Sequence, residues 1–275
     1  MRSTYMPSSK INGINLHFHQ SGKGIPLVFL SGVGSRLDTW EVIVEKLNKT
    51  FRCISIDNRG VGKSDKPSEP YSINDMAQDT IKLLKKLNIK SAHIIGQSMG
   101  GLIAQVIAYK HPEICRSLTL CSTIAFVDSR TSLIWSSLPI LAKRLNPKDF
   151  FYVTAALMYS KNTLSNTDWL YKTIKKSINH PDLTPFFTYE IQVNSMLQFD
   201  SRTWLNKIST PCLIVSGQDD IITPQYQSDL LENNLRNSFH INLANAGHRA
   251  ITEDMFTFIN ELSKFINKIE KEKEE

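Results

Sequence analysis

No stretch of this 275-residue chain holds the roughly eighteen consecutive apolar residues that a membrane-crossing helix requires. The segment Met1 to Lys10 carries one arginine followed by polar residues and lacks the apolar core of a secretory signal, so a cytoplasmic protein is expected. Cysteine is scarce: Cys53, Cys115, Cys121 and Cys212 stand singly, mostly inside apolar runs. They form no C-x-x-C pair for metal or redox work and read as buried free thiols in a reducing compartment. Clustered aromatics beside basic residues are missing too. The net charge of +6 rests on lysines spread along presumed helix faces, such as Lys82, Lys85, Lys86 and Lys90, which points to solvated surface and away from nucleic acid. There is no internal repeat and no low-complexity segment. The mixed-charge run Lys268 to Glu275 reads as a frayed helix end.

What is present is an ordinary globular composition, 41% hydrophobic and 21% charged, in a chain long enough for one large α/β domain with an insertion. Short β-rich apolar runs alternate with helical patterns, the signature of a mainly parallel sheet flanked by helices. Strands are predicted at Ile14 to His19, Leu27 to Leu30, Cys53 to Ile56, Ala92 to Ile95, Ser117 to Cys121, Leu213 to Ser216 and Ser238 to Leu243. Helices fit at Trp40 to Leu47, Asn74 to Leu87, Met99 to Lys110, Gln225 to Asn233 and about Asp254 to Ile269. Between Thr123 and Leu205 the alternation stops, and aromatic-rich helical segments containing Trp135, Phe150, Phe151, Tyr159 and Trp169 take over. The expected organisation is a core of residues 1–123 and 207–275 with a helical cap inserted at 124–206.

The string Gly96-Gln97-Ser98-Met99-Gly100-Gly101 follows one predicted strand and opens a predicted helix. A serine on a tight strand-to-helix turn needs small residues two before and two after it, because side chains there would strike neighbouring backbone. Ser98 also stands at a helix N-terminus, where partial positive charge favours a developing anion. A serine hydroxyl is a poor nucleophile alone and needs a base held by a carboxylate. Among the histidines, His17 and His19 alternate within a strand, His93 and His240 lie in strands, and His111 ends a helix. His248 sits in a loop just past a strand's end, after Ala246-Gly247. An acid is expected where Leu213 to Ser216 runs into Gly217-Gln218-Asp219-Asp220, and position alone leaves both aspartates open.

These motifs resemble those of the α/β-hydrolase superfamily, over nearly the whole chain outside the cap and in the same order of nucleophile, acid and histidine. The resemblance implies an eight-stranded, mainly parallel sheet. It assigns Ser98 as nucleophile, His248 in Asn245-Ala246-Gly247-His248 as base, and Asp220, three residues after Gly217 and four before Pro224, as the orienting acid. It places one oxyanion donor at the Met99 N–H and a second at the Val33 N–H, in Ser31-Gly32-Val33-Gly34, which is similar to the family's His-Gly-x-Gly segment but has serine where histidine is usual. Trp40 matches a packing position, and Asp57 to Asp65 resembles a structural loop in which Asp57 and Arg59 brace backbone.

Two strings mimic nucleotide sites. Gly60-Val61-Gly62-Lys63-Ser64 ends like a phosphate-binding loop but has Asp57 where the first glycine belongs, and Gly32-Val33-Gly34 has Leu37 where a dinucleotide fingerprint needs its third glycine. His17 and His19 lack a third metal ligand nearby. No cofactor and no metal are expected. The serine excludes the aspartate-nucleophile branches, so the resemblance implies a hydrolase of esters, lactones or related activated carbonyls of a small or medium, largely apolar substrate, similar to small capped carboxylesterases and 3-oxoadipate enol-lactonases. Carbon–carbon bond hydrolases of the same fold and a non-catalytic ligand-binding protein are the alternatives. Residues 125–206 hold nine Lys and Arg against six Asp and Glu, an excess that fits an anionic substrate and a solvated outer face equally.

Overall fold

The computed structural model describes residues 7–274; residues 1–6 and 275, which belong to the two ends read above, lie outside the described residues. The chain runs β1 (Ser8–Ile11), β2 (Ile14–Ser21), β3 (Pro26–Leu30), α1 (Glu41–Leu47), β4 (Arg52–Ile56), α2 (Ile73–Lys86), β5 (Ala92–Gln97), α3 (Met99–Lys110) and β6 (Cys115–Cys121). Five helices then intervene: α4 (Ser129–Arg144), α5 (Pro147–Met158), α6 (Lys161–Leu164), α7 (Thr167–Ile178) and α8 (Phe186–Leu197). The regular pattern resumes with β7 (Cys212–Gly217), α9 (Gln225–Asn234), β8 (Ser238–Leu243), α10 (Ala250–Glu253) and α11 (Met255–Glu274).

The eight strands form one sheet in the order β1-β2-β4-β3-β5-β6-β7-β8. β2 pairs antiparallel with β1 and with β4, and every pairing from β4 to β8 is parallel. This is the architecture expected. Alternation along each strand sorts side chains to two faces: Leu27 and Phe29 pack with Trp40, Ile43 and Phe258, while Val28 and Leu30 pack with Met76, Leu84 and Leu102. Both faces are buried, so the central strands carry apolar residues at nearly every position. Helix α3 is buried from Met99 to Ala108, as expected of a helix that is apolar all round.

Two elements differ from expectation. The strand β1 lay unrecognised in a polar stretch, although Asn12-Gly13 marks a two-residue hairpin: both have positive φ, 49° and 82°. The run from Lys268 expected to fray belongs to α11, which continues to Glu274.

The stretch between β6 and β7 is pinned at its base. Phe126 bridges Asp200, the Val127 N–H donates to the Phe199 carbonyl at 3.3 Å, and the Ser201 N–H donates to the Ala125 carbonyl at 2.8 Å. The four cysteines are buried, and burial alone pushes the Cys53 thiol up to about 12.

Candidate active site

Ser98 joins β5 to α3 with φ 55° and ψ −120°, a conformation that side chains rarely adopt. Close packing enforces the turn: a Cβ at Gly96 would strike the Gly100 carbonyl, and one at Gly100 would strike the Leu30 carbonyl. The Ser98 N–H is used by the Cys121 carbonyl at 2.9 Å, which ties the turn to the next strand. Its hydroxyl faces the His248 Nε2 at 3.0 Å.

His248 is held on its other side by Asp220, whose Oδ2 accepts from Nδ1–H at 2.9 Å. The carboxylate requires the proton on Nδ1, which leaves Nε2 as an acceptor for the serine hydroxyl. Asp220 is itself fixed by three further donors: the Ile222 and Thr223 N–H groups on Oδ1, at 2.9 and 2.8 Å, and the Thr223 hydroxyl on Oδ2 at 2.6 Å. Asp219 takes no part in this chain; its N–H donates to the Ala246 carbonyl at 2.8 Å. Ser98, Asp220 and His248 are all buried.

The loop Ser31 to Ser35 lies over the serine, with the Gly32 backbone against the Ser98 Cβ. The Ser35 N–H donates to the Gly32 carbonyl at 3.1 Å, closing a turn in which Gly34 takes φ +65°. Among the described residues neither the Val33 nor the Met99 N–H donates to another backbone group in a turn or loop. Ser31, in the place of the usual histidine, accepts from the Trp40 indole N–H at 3.0 Å and donates to the Arg36 carbonyl at 3.1 Å.

The other singled-out residues serve the frame. Asp57 accepts the Leu37 N–H at 2.8 Å and the Lys63 N–H at 3.0 Å, and its Oδ2 meets the His17 Nδ1 at 2.7 Å. Its carboxylate therefore occupies the turn in which a phosphate-binding loop would hold an anion. The Arg59 side chain pairs with Asp79 at 2.6 and 2.7 Å, so it reaches α2 and leaves the loop backbone to others. His240 joins Ser216 and Glu232, and His111 joins Gln78. Among the described residues no group of three or more His, Cys, Asp or Glu is placed to hold a metal.

Helices α4, α5, α7 and α8 border a cavity of about 420 Å³, lined by Val33, Phe150, Met158, Ile174, Tyr189 and Arg249 among others. Ser98 and His248 themselves lie outside its lining, which includes Arg249, the neighbour of His248, and Val33 of the loop beside Ser98. A more polar outer cleft of about 750 Å³ shares Arg36, Tyr159 and Arg249 with it, so the two adjoin. The aromatics of the insertion divide: Phe150, Phe151 and Phe186 line the chamber, Trp135 is buried, and Tyr152 and Phe187 face outward.

Sequence reasoning passed over Thr223, Gln192, Thr184, Arg36 and Arg249. Only Thr223 had a local signal, as an Asp-x-x-Thr turn in which an aspartate accepts backbone donors two and three residues on.

The family model described as the alpha/beta hydrolase fold matches residues 25–254. RutD of Azorhizobium caulinodans, a candidate carbamate hydrolase by its name, is 26% identical over 254 residues, covering 91% of this chain and 95% of its own. BpoC of Mycobacterium tuberculosis, named as a candidate non-heme bromoperoxidase, is 28% identical over 249 residues, with 87% and 93% covered. The crystal structure of the enol-lactonase from Burkholderia xenovorans LB400 superposes with a TM-score of 0.87 at 24% identity, covering 95% of this chain and 100% of that one, a likeness of fold alone.

Proposed function

Because the chain belongs to the alpha/beta hydrolase fold family, whose members here include relatives named for hydrolysis, we propose that it is a serine hydrolase working through an acyl-enzyme. Ser98 is the nucleophile, His248 the general base and Asp220 the residue that orients the imidazole. The observation that carries this reading is the unbroken chain from the Ser98 hydroxyl to His248 Nε2 at 3.0 Å and from Nδ1 to Asp220 at 2.9 Å.

As the Ser98 oxygen attacks a carbonyl carbon, its proton passes to Nε2, and the carbonyl oxygen gains the negative charge. The Val33 and Met99 N–H groups are the donors that receive that charge. Removing one such donor typically costs about 10²–10³ in rate. The imidazolium is stabilised by Asp220 and returns its proton to the leaving group, giving the acyl-enzyme. Water then repeats the sequence, and Ser98 is released.

Helices α4 to α8, the cap of residues 124–206, roof the reaction and supply a mainly apolar chamber. An ester, a lactone or a related activated carbonyl of small or medium size fits a pocket of this volume. Labelling with a fluorophosphonate probe tests the reading: wild type is expected to label covalently and Ser98→Ala is not. Absence of labelling in wild type, or equal labelling of both, leaves a non-catalytic binding protein.

A further inference from the structure

Two arginines stand at the neck where the apolar chamber meets the outer cleft. Arg249 directly follows His248, is half-buried and lines both cavities. Among the described residues its side chain makes no hydrogen bond or ion pair, and its Nε is enclosed without a partner. Arg36, three residues past Val33, lines the same two cavities. Its Nη2 donates to Asp38 at 2.9 Å, while its Nε is likewise enclosed and unpartnered.

The carboxylates nearby are already engaged. Asp38 holds Arg36 and lies 3.4 Å from the His180 Nε2. Glu253 accepts the Gly247 N–H at 2.8 Å and the Ser160 N–H at 2.9 Å, one on each oxygen. Lys176 adds a further cation to the cleft wall. A guanidinium withdrawn from water without an acceptor is unfavourable, and its planar fork of donors matches a carboxylate on two bonds.

We propose that this neck is an anion subsite: the substrate carries a carboxylate that rests on Arg249 and Arg36, while its apolar part fills the chamber and its scissile carbonyl meets Ser98. The inference rests on the hydrolase reading and narrows it from esters and lactones in general to anionic ones. Arg249 is the principal contact, since Arg36 already shares its charge with Asp38.

Two chromogenic esters isolate the charge: the p-nitrophenyl monoester of glutaric acid, with a free carboxylate, and p-nitrophenyl methyl glutarate, in which that carboxylate is capped. Wild type is expected to favour the charged ester by about tenfold or more in kcat/KM, with the difference in KM, as a charge-assisted pair predicts. Arg249→Gln lowers that ratio by about tenfold, Arg249→Lys retains part of it, and Arg36→Gln lowers it less.

Glutarate alone gives a second readout that needs no chemistry. It is expected to raise the Tm of Ser98→Ala protein and not that of Ser98→Ala/Arg249→Gln. A wild type that treats the two esters alike, or a glutarate shift that survives loss of Arg249, overturns the subsite. Glutarate binding through Arg249 in a protein whose Ser98 never labels with a fluorophosphonate overturns the hydrolase reading and leaves the subsite standing.

Discussion

Gln192, fully buried on α8, holds Gly34 in the loop beside Ser98: its Oε1 accepts the Gly34 N–H at 2.8 Å. Its amide also donates to the Arg59 carbonyl at 2.9 Å, and Thr184 donates to the Gly34 carbonyl at 2.8 Å. Gly34, next to Val33, is thus held through both its N–H and its carbonyl by the insertion. A side chain from the cap fixes the loop whose N–H is proposed to meet the oxyanion.

Gln192→Leu is expected to lower kcat on a neutral p-nitrophenyl ester by about tenfold with little change in KM, because a donor moved by a fraction of an ångström weakens transition-state contacts first. Slower fluorophosphonate labelling of Ser98 should accompany it. A folded Gln192→Leu protein with wild-type kcat would show that α8 has no part in positioning the loop.

The second prediction separates the adjacent aspartates. Asp220→Asn leaves His248 without the acceptor that sets its tautomer, and a loss of about 10⁴ in kcat is expected from that cause. Asp219→Asn removes nothing from the hydrogen-bonded chain and should keep activity within about threefold. Thr223→Val, which deletes the hydroxyl donor to Asp220, belongs between them. The reverse ranking of the two aspartates, measured as kcat on one ester, would reassign the acid.

How much of this was legible in the sequence follows from how local each constraint is. Gly96, Ser98 and Gly100 announce themselves because the turn excludes side chains within five residues, and the loop position of His248 follows from the strand before it. The three residues now joined by hydrogen bonds are those the motifs singled out. Gln192, Thr184 and Arg249 gave no such signal, since their partners lie on other elements and any polar residue on a helix or loop reads alike. The aromatics of the insertion were visible as a group, but whether Trp135, Phe150 or Phe187 packs inward, lines the chamber or faces outward depends on how the helices cross. β1 was legible and unread, through Asn12-Gly13.

A third prediction concerns the frame. Asp75 and Ser72 form a reciprocal cap at the start of α2. Burial works against the Asp75 charge, but the hydrogen bonds from the Ser72 hydroxyl and N–H outweigh it, and the carboxyl is held below its ordinary 3.8. A carboxylate whose folded pKa is lowered stabilises the fold above its unfolded pKa, and that contribution fades as pH falls through the folded value. Asp75→Ala should therefore cost about 1 kcal/mol near neutral pH, and the difference should shrink below pH 3.8. Urea unfolding of both proteins at several pH values measures it; a gap that widens in acid contradicts the assignment.

The last prediction concerns the serine where histidine is usual. Trp40 has no exposed surface, and its indole N–H has Ser31 Oγ as acceptor at 3.0 Å. Ser31→Ala strands that donor in the core beside Phe29, at a cost of about 1–3 kcal/mol, and releases the Arg36 carbonyl from the loop. Trp40→Phe removes the donor but also packing volume, so alone it is expected to cost at least as much. Once Trp40 is Phe, however, Ser31→Ala has no donor left to strand, and its further cost should fall below about 0.5 kcal/mol. A coupling energy of about 1 kcal/mol or more in the double-mutant cycle therefore identifies Ser31 as the residue that replaces the histidine's support of the loop. Additive losses, measured by urea unfolding of the four proteins, would mean that the hydroxyl and the indole meet without stabilising one another, and the loop would owe its shape to Gln192 and Thr184 instead.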